Sequence, residues 1–164
     1  MADNQYISAR LGFMHTLYPV ALQNASIAVE MYLKCLLKIK GETGKFRHSL
    51  LEGFKQAKIN LAPDMKELVE NLQNAYERDK YPDSWEERDV IWADNLDRVD
   101  ELVCQIRNLI IKTAGKIDSV TDYLKVIKTK GFIFADAAGR YGVLTLKEAF
   151  IRGNNAFTRF KFLE

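Results

Sequence analysis

Between Gln23 and Lys38 the polar residues recur at steps of three, four, four and four: Gln23, Ser26, Glu30, Lys34 and Lys38. On a helix these positions form one narrow seam. Ala25, Ile27, Ala28, Val29, Met31, Tyr32, Leu33, Cys35, Leu36, Leu37 and Ile39 cover the rest of the rod. A helix that is apolar on most sides must be surrounded by others, so this segment belongs at the centre of a bundle. It is expected to run from about Pro19 to Lys40. Lysines fill its last turns, facing the negative end of the helix dipole, and Gly41 stands just past its end.

Five further segments carry the helical period. The first spans about 3–17, with Tyr6, Ala9, Phe13, Met14 and Leu17 on one side, and Pro19 predicts a break beside Tyr18. The third spans about 49–59: Ser49 and Glu52 form an S-x-x-E cap, and Leu50, Leu51, Phe54 and Ala57 the stripe. A fourth opens at Pro63-Asp64 and reaches about Tyr81, where Pro82 ends it. The fifth starts near Asp94 and carries Leu96, Val99, Leu102, Val103, Ile106, Leu109, Ile110 and Thr113. A sixth is expected from Asp118 or Ser119 to Gly131. The predicted fold is therefore all-α, an up-and-down bundle of four to six helices.

After Gly131 the pattern changes. Three glycines separate two short β-prone runs, Phe132–Phe134 and Val143–Leu146, which predict a hairpin or an irregular segment. A short helix over about 146–151 is expected to follow. The chain then ends with Phe157, Phe160 and Phe162, an aromatic group that needs a surface to cover it. The expected organisation is a bundle over 1–130 with an appendage over 131–164, forming a single domain overall.

Length and charge refine this picture. A chain of 164 residues can bury a core without metals or cross-links. There is no apolar run near the ~20 residues that span a bilayer, and no secretory leader is visible. Cys35 and Cys104 both lie in apolar helical patterns, so buried free thiols and a reducing, cytoplasmic location are expected. From Lys125 onward eight basic residues face three acidic ones, while the remainder has 16 against 19. The basic end predicts either polyanion binding or docking on an acidic surface, of this subunit or a partner. Asp83–Glu101, with eight acids against Arg88 and Arg98, offers such a surface.

Few reactions survive inspection. With His15, His48 and two separated cysteines, the chain has no zinc ligand set, and no metal or cofactor is expected. It also carries no phosphate loop of Walker type and no G-x-G-x-x-G motif. Glu30 and Lys34 form an i,i+4 pair, on a seam that is either simply solvated or a functional groove. His48, beside Arg47, serves either the local turn or a site. Trp85 and Trp92, in the long 81–93 connection, either plug the bundle's end or form a partner patch.

The central helix, AVEMYLKCLL, then Gly41 and RHSLLEGF, and then AYERDKYP with Tyr76, Arg78, Tyr81 and Pro82, resembles the HEPN superfamily over roughly residues 5–116. The resemblance implies a bundle of four or five helices, usually dimeric. Many such proteins are RNases, often the toxin of a toxin–antitoxin pair. Their site is an arginine followed by a polar residue, with a histidine four to six residues beyond. The arginine answers phosphate charge and the histidine moves the proton during attack by a ribose 2′-hydroxyl. Here Arg107-Asn108 matches the start, but the histidine position falls on Lys112, Thr113 or Ala114. Arg10 and His15 match in spacing alone, with Leu11 in the polar position.

The resemblance therefore implies a nucleotide- or RNA-associated binding domain without catalysis, possessing a cleft lined by Lys34, His48, Arg78, Tyr81, Arg107 and Asn108. A homodimer is expected, and the expected partners are a nucleotidyltransferase or an antitoxin. Two alternatives stand beside it: a homo-oligomeric interaction module that uses the tail, and a metal-independent RNase using Arg10 and His15.

Overall fold

In the computed structural model, residues 1–15, 17–78, 93–115, 132–135, 141–144, 151 and 153–160 are described. Five helices occupy the described part of the bundle: α1 (Ala2–Met14), α2 (Tyr18–Ile39), α3 (Leu50–Gln56), α4 (Pro63–Arg78) and α5 (Ala93–Ala114). The expected all-α bundle is what forms. The sixth segment over 118–130, the tryptophan connection, Tyr81 and the short helix over 146–151 lie outside the described residues, save for Ile151.

Helix α2 sits where its pattern puts it, in contact with all four other helices. Ala21, Ala25, Ala28, Val29, Leu33, Leu36 and Leu37 are fully buried along it. Its entry is fixed by Pro19 in the first turn, a position where the missing N–H leaves no bond unmade. Helix α1 stops one turn earlier than the expected 3–17, because Leu17 N–H turns back to Gly12 C=O at 2.9 Å. Gly12 also sets the spacing of the two helices. A Cβ built there would lie 2.9 Å from Ala21 Cβ and 3.1 Å from Ala21 Cα, so α1 and α2 approach backbone to side chain.

The exit of α2 follows the sequence signals. Gly41 adopts φ +78, and Glu42 N–H closes on Leu37 C=O at 2.9 Å. Ser49 caps α3 as expected, its Oγ accepting from Glu52 N–H at 3.4 Å. Gln73 Oε1 accepts from Leu50 N–H at 3.1 Å, tying α4 to the same end. Helix α3 stops at Gln56, short of the expected Ile59, because Lys58 turns left-handed at φ 57.

Cys35 corrects the expectation of two buried thiols: it is exposed, whereas Cys104 is buried. Lys34, Cys35, Lys38 and Ile39 are all exposed while Leu36 and Leu37 are fully buried, so in the last turns of α2 the side that faces solvent is wider than the polar seam. The polar seam divides at the same level. Ser26 and Glu30 are buried, while Lys34 and Lys38 reach solvent. Beyond the bundle, β1 (Phe132–Ala135) pairs antiparallel with β2 (Tyr141–Leu144), with Phe132 opposite Leu144. Residues 157–159 form a 3-10 turn.

Candidate functional site

Two carboxylates lie deep between α1, α2 and α5, each with an arginine and a tyrosine. Asp100 on α5 pairs with Arg10 of α1, both side chains fully buried, and accepts from Tyr6 Oη at 2.6 Å. Asp3 on α1 accepts from Tyr32 Oη of α2, and Arg107 Nε of α5 lies 3.6 Å away. Burial pushes both carboxyls up; Arg10 with Tyr6, and Arg107 with Tyr32, pull back without offsetting it. These groups hold helices together. Arg10, one half of the spacing match with His15, is fully buried on Asp100, and Arg107 is only 3% exposed.

A third carboxylate has a different setting. Glu30 stands on α2 at the edge of the core, one turn before the exposed Lys34. One oxygen accepts from Lys34, one turn along, and the other lies 3.0 Å from His48 Nδ1. A carboxylate can only accept, so the ring proton sits on Nδ1. Burial would raise the Glu30 carboxyl, but the hydrogen bonds and charges of Lys34 and His48 outweigh it and hold it below its ordinary value. Lys34 Nζ also stands 5.6 Å from the centroid of the buried Phe46 ring. The outer parts of the cluster face water, with the Lys34 side chain 45% and the His48 side chain 54% exposed.

The backbone beneath this cluster is unusual. Arg47 and His48 both adopt left-handed conformations, φ 40 and φ 68, which L-residues take at a cost. That turn aims His48 back at Glu30. Around it, Lys34, Lys38, Lys40, Lys45, Arg47, Lys55 and Lys58 are all exposed, and from 34 to 58 only Glu42 and Glu52 oppose them. Seven cations against two acids give the segment 34–58 a net +5.

Of the residues expected to line one cleft, the structure brings Lys34 and His48 together on Glu30. Arg107 and Asn108 have other engagements: Arg107 on Asp3, and Asn108 Nδ2 on the carbonyl of Arg159 at 2.7 Å. Arg78 closes α4 with only its backbone described, and His15 follows α1 at its C-cap. Glu30 is not among the residues expected to line the cleft, although the seam it shares with Lys34 carries the alternative of a functional groove. Its signal was a glutamate on an otherwise buried helix, one turn before the exposed lysine. Among the described residues, no group of three or more His, Cys, Asp or Glu could hold a metal ion. Nor is any helix among them long and apolar enough to cross a membrane.

A five-helix bundle with α2 at its centre defines a small all-α helical domain. The HEPN domain family model matches residues 1–110, and the chain belongs to that family. No curated protein and no solved structure matches it.

Proposed function

We propose that this HEPN domain binds nucleotides or RNA through their phosphates and does not cleave them. One contrast carries the reading: the arginines of both possible cleavage motifs are buried on aspartates, whereas the cations from Lys34 to Lys58 face solvent. Lys34, Arg47 and His48 are the proposed centre of the face, with Arg78 and Tyr81 as its proposed extension. A buried arginine already paired with a carboxylate cannot also meet a scissile phosphate. None of Lys112, Thr113 and Ala114 supplies an imidazole for proton transfer.

Phe46, the ring beside Lys34, is 3% exposed and offers no face for a base to stack on. Recognition through this end is therefore by phosphate charge, indifferent to sequence and steeply weakened by salt. A homodimer, and a nucleotidyltransferase or antitoxin as neighbour, belong to the same proposal.

Fluorescence anisotropy with labelled ATP, GTP, oligo-A and oligo-U tests it. Binding is expected at low salt, similar for the two RNAs, and about ten-fold or more weaker in a Lys34→Ala, Arg47→Ala double variant. No binding at low salt, or intact binding by that variant, would overturn the site. Cleavage of either RNA by purified protein would overturn the absence of catalysis.

A further inference from the structure

The segment 154–160, far along the chain from the bundle's last described helix, lies in the groove between α1 and α5. Its contacts follow one stripe of α5: Asp97, Glu101, Cys104 and Asn108, spaced four, three and four. Asn155 Nδ2 donates to Asp97 at 3.3 Å, Arg159 pairs with Glu101, and Asn108 donates to the Arg159 carbonyl. Cys104 Sγ lies 3.9 Å from Ala156 C=O. From the α1 side, Tyr6 Oη accepts from Asn154 Nδ2 at 3.2 Å, and the Tyr6 ring stacks on Phe160 with centroids 6.1 Å apart and planes at 23°. Ala156 and Phe160 are 1% and 5% exposed.

This is the anatomy of a peptide in a receptor groove. An aromatic anchor and a buried asparagine sit on the floor, with a charge pair and a polar contact at the rim. The groove's wall is acidic and the segment is cationic. We infer that the α1–α5 groove is a docking site for an Asn-Asn-x-x-x-Arg-Phe segment, filled within the chain in the isolated protein and by the same segment of a second copy when the two exchange. The chain's own segment is the one whose fit is seen, and every copy carries it. Outside the β1–β2 hairpin, the 24 residues 116–131 and 145–152 would reach roughly 80 Å if extended, so their length does not bind the segment to its own bundle. Exchange refills both grooves with identical contacts and therefore sacrifices only the freedom of two separate bodies.

Cys104 gives the readout, because it lies 2% exposed beneath the segment. In full-length protein carrying Cys35→Ser, a thiol reagent should label Cys104 slowly. Adding Arg159→Glu and Phe160→Ala should raise the rate about ten-fold or more, with helical circular dichroism unchanged. If that pair disturbs folding, Arg159→Ala alone, at the solvent-facing rim, carries the same readout. A synthetic peptide of residues 153–160 should restore slow labelling. So should a second full-length copy whose own groove is spoiled by Glu101→Arg and whose thiols are replaced by Cys35→Ser and Cys104→Ser, with light scattering then reporting the mass of a dimer. Unchanged labelling when the segment is weakened overturns the groove. Protection by the peptide but not by the second copy overturns exchange.

Discussion

Asp100 and Glu30 present the same chemical group in opposite surroundings. Asp100 lies with Arg10 out of reach of water, its carboxyl pushed up by burial, and it serves the contact between α1 and α5. Glu30 stands on α2 at the edge of the core, its carboxyl held down by Lys34 and His48, which remain half exposed. The difference is one of depth. An arginine sunk with its aspartate holds helices in register but has no face left for a ligand. A carboxylate at the core's edge can position cations that still meet solvent. Among the described residues, the end of the bundle around Glu30 is thus the proposed binding face.

The largest way to break this contrast is Arg10→Ala, which leaves Asp100 buried and uncompensated. Removal of one partner from a buried pair costs about 3–5 kcal/mol, so urea denaturation should show a loss of that order. Gly12→Ala comes next: its Cβ would collide with Ala21, and overpacking of about 1–3 kcal/mol is expected in the same assay. Ser49→Ala removes the cap of α3, for about 0.5–1 kcal/mol, and should loosen the turn that presents His48.

Glu30→Gln tests the outer pair through pH. The folded carboxyl lies below its ordinary 4.5. Its contribution is therefore present above that value and is lost as pH falls through the folded one. The stability gap between wild type and Glu30→Gln should shrink as pH falls from 4.5 through the folded value. Asp3 and Asp100 run the other way. Because burial raises them from 3.8, the penalty of their charged forms is absent below that value and grows as pH rises through the folded ones.

Much of the bundle was legible because local signals agreed with one another. Pro19, Gly41 and Ser49 stand at the helix ends they predict, and the apolar coat of α2 reads directly as its central place. The site was harder to read. Lys34 and His48 are both recognisable as candidates, but no spacing rule links positions 34 and 48, and the seam through Glu30 reads equally as a solvated stripe or a groove. The buried arginines misled for the opposite reason. Spacing marks Arg10 and Arg107 as possible catalytic groups, yet each is sunk on an aspartate of another helix, and such partnerships are set by packing between distant segments. Cys35 shows the limit of periodicity, which marks the polar seam of a helix but not how much of the apolar side next to it neighbours cover.

The left-handed turn at Arg47 and His48 has a consequence for how the protein could change. Each residue there forfeits something of order 1 kcal/mol that glycine would not. Part of any gain from glycine would be offset by a looser unfolded chain, but the balance favours the smaller residue wherever φ is positive. Selection for heat resistance alone would therefore tend to strip both cationic side chains from this turn. A thermostabilised descendant that kept its bundle but lost its grip on phosphate would be a trade-off between endurance and binding, located at two adjacent residues.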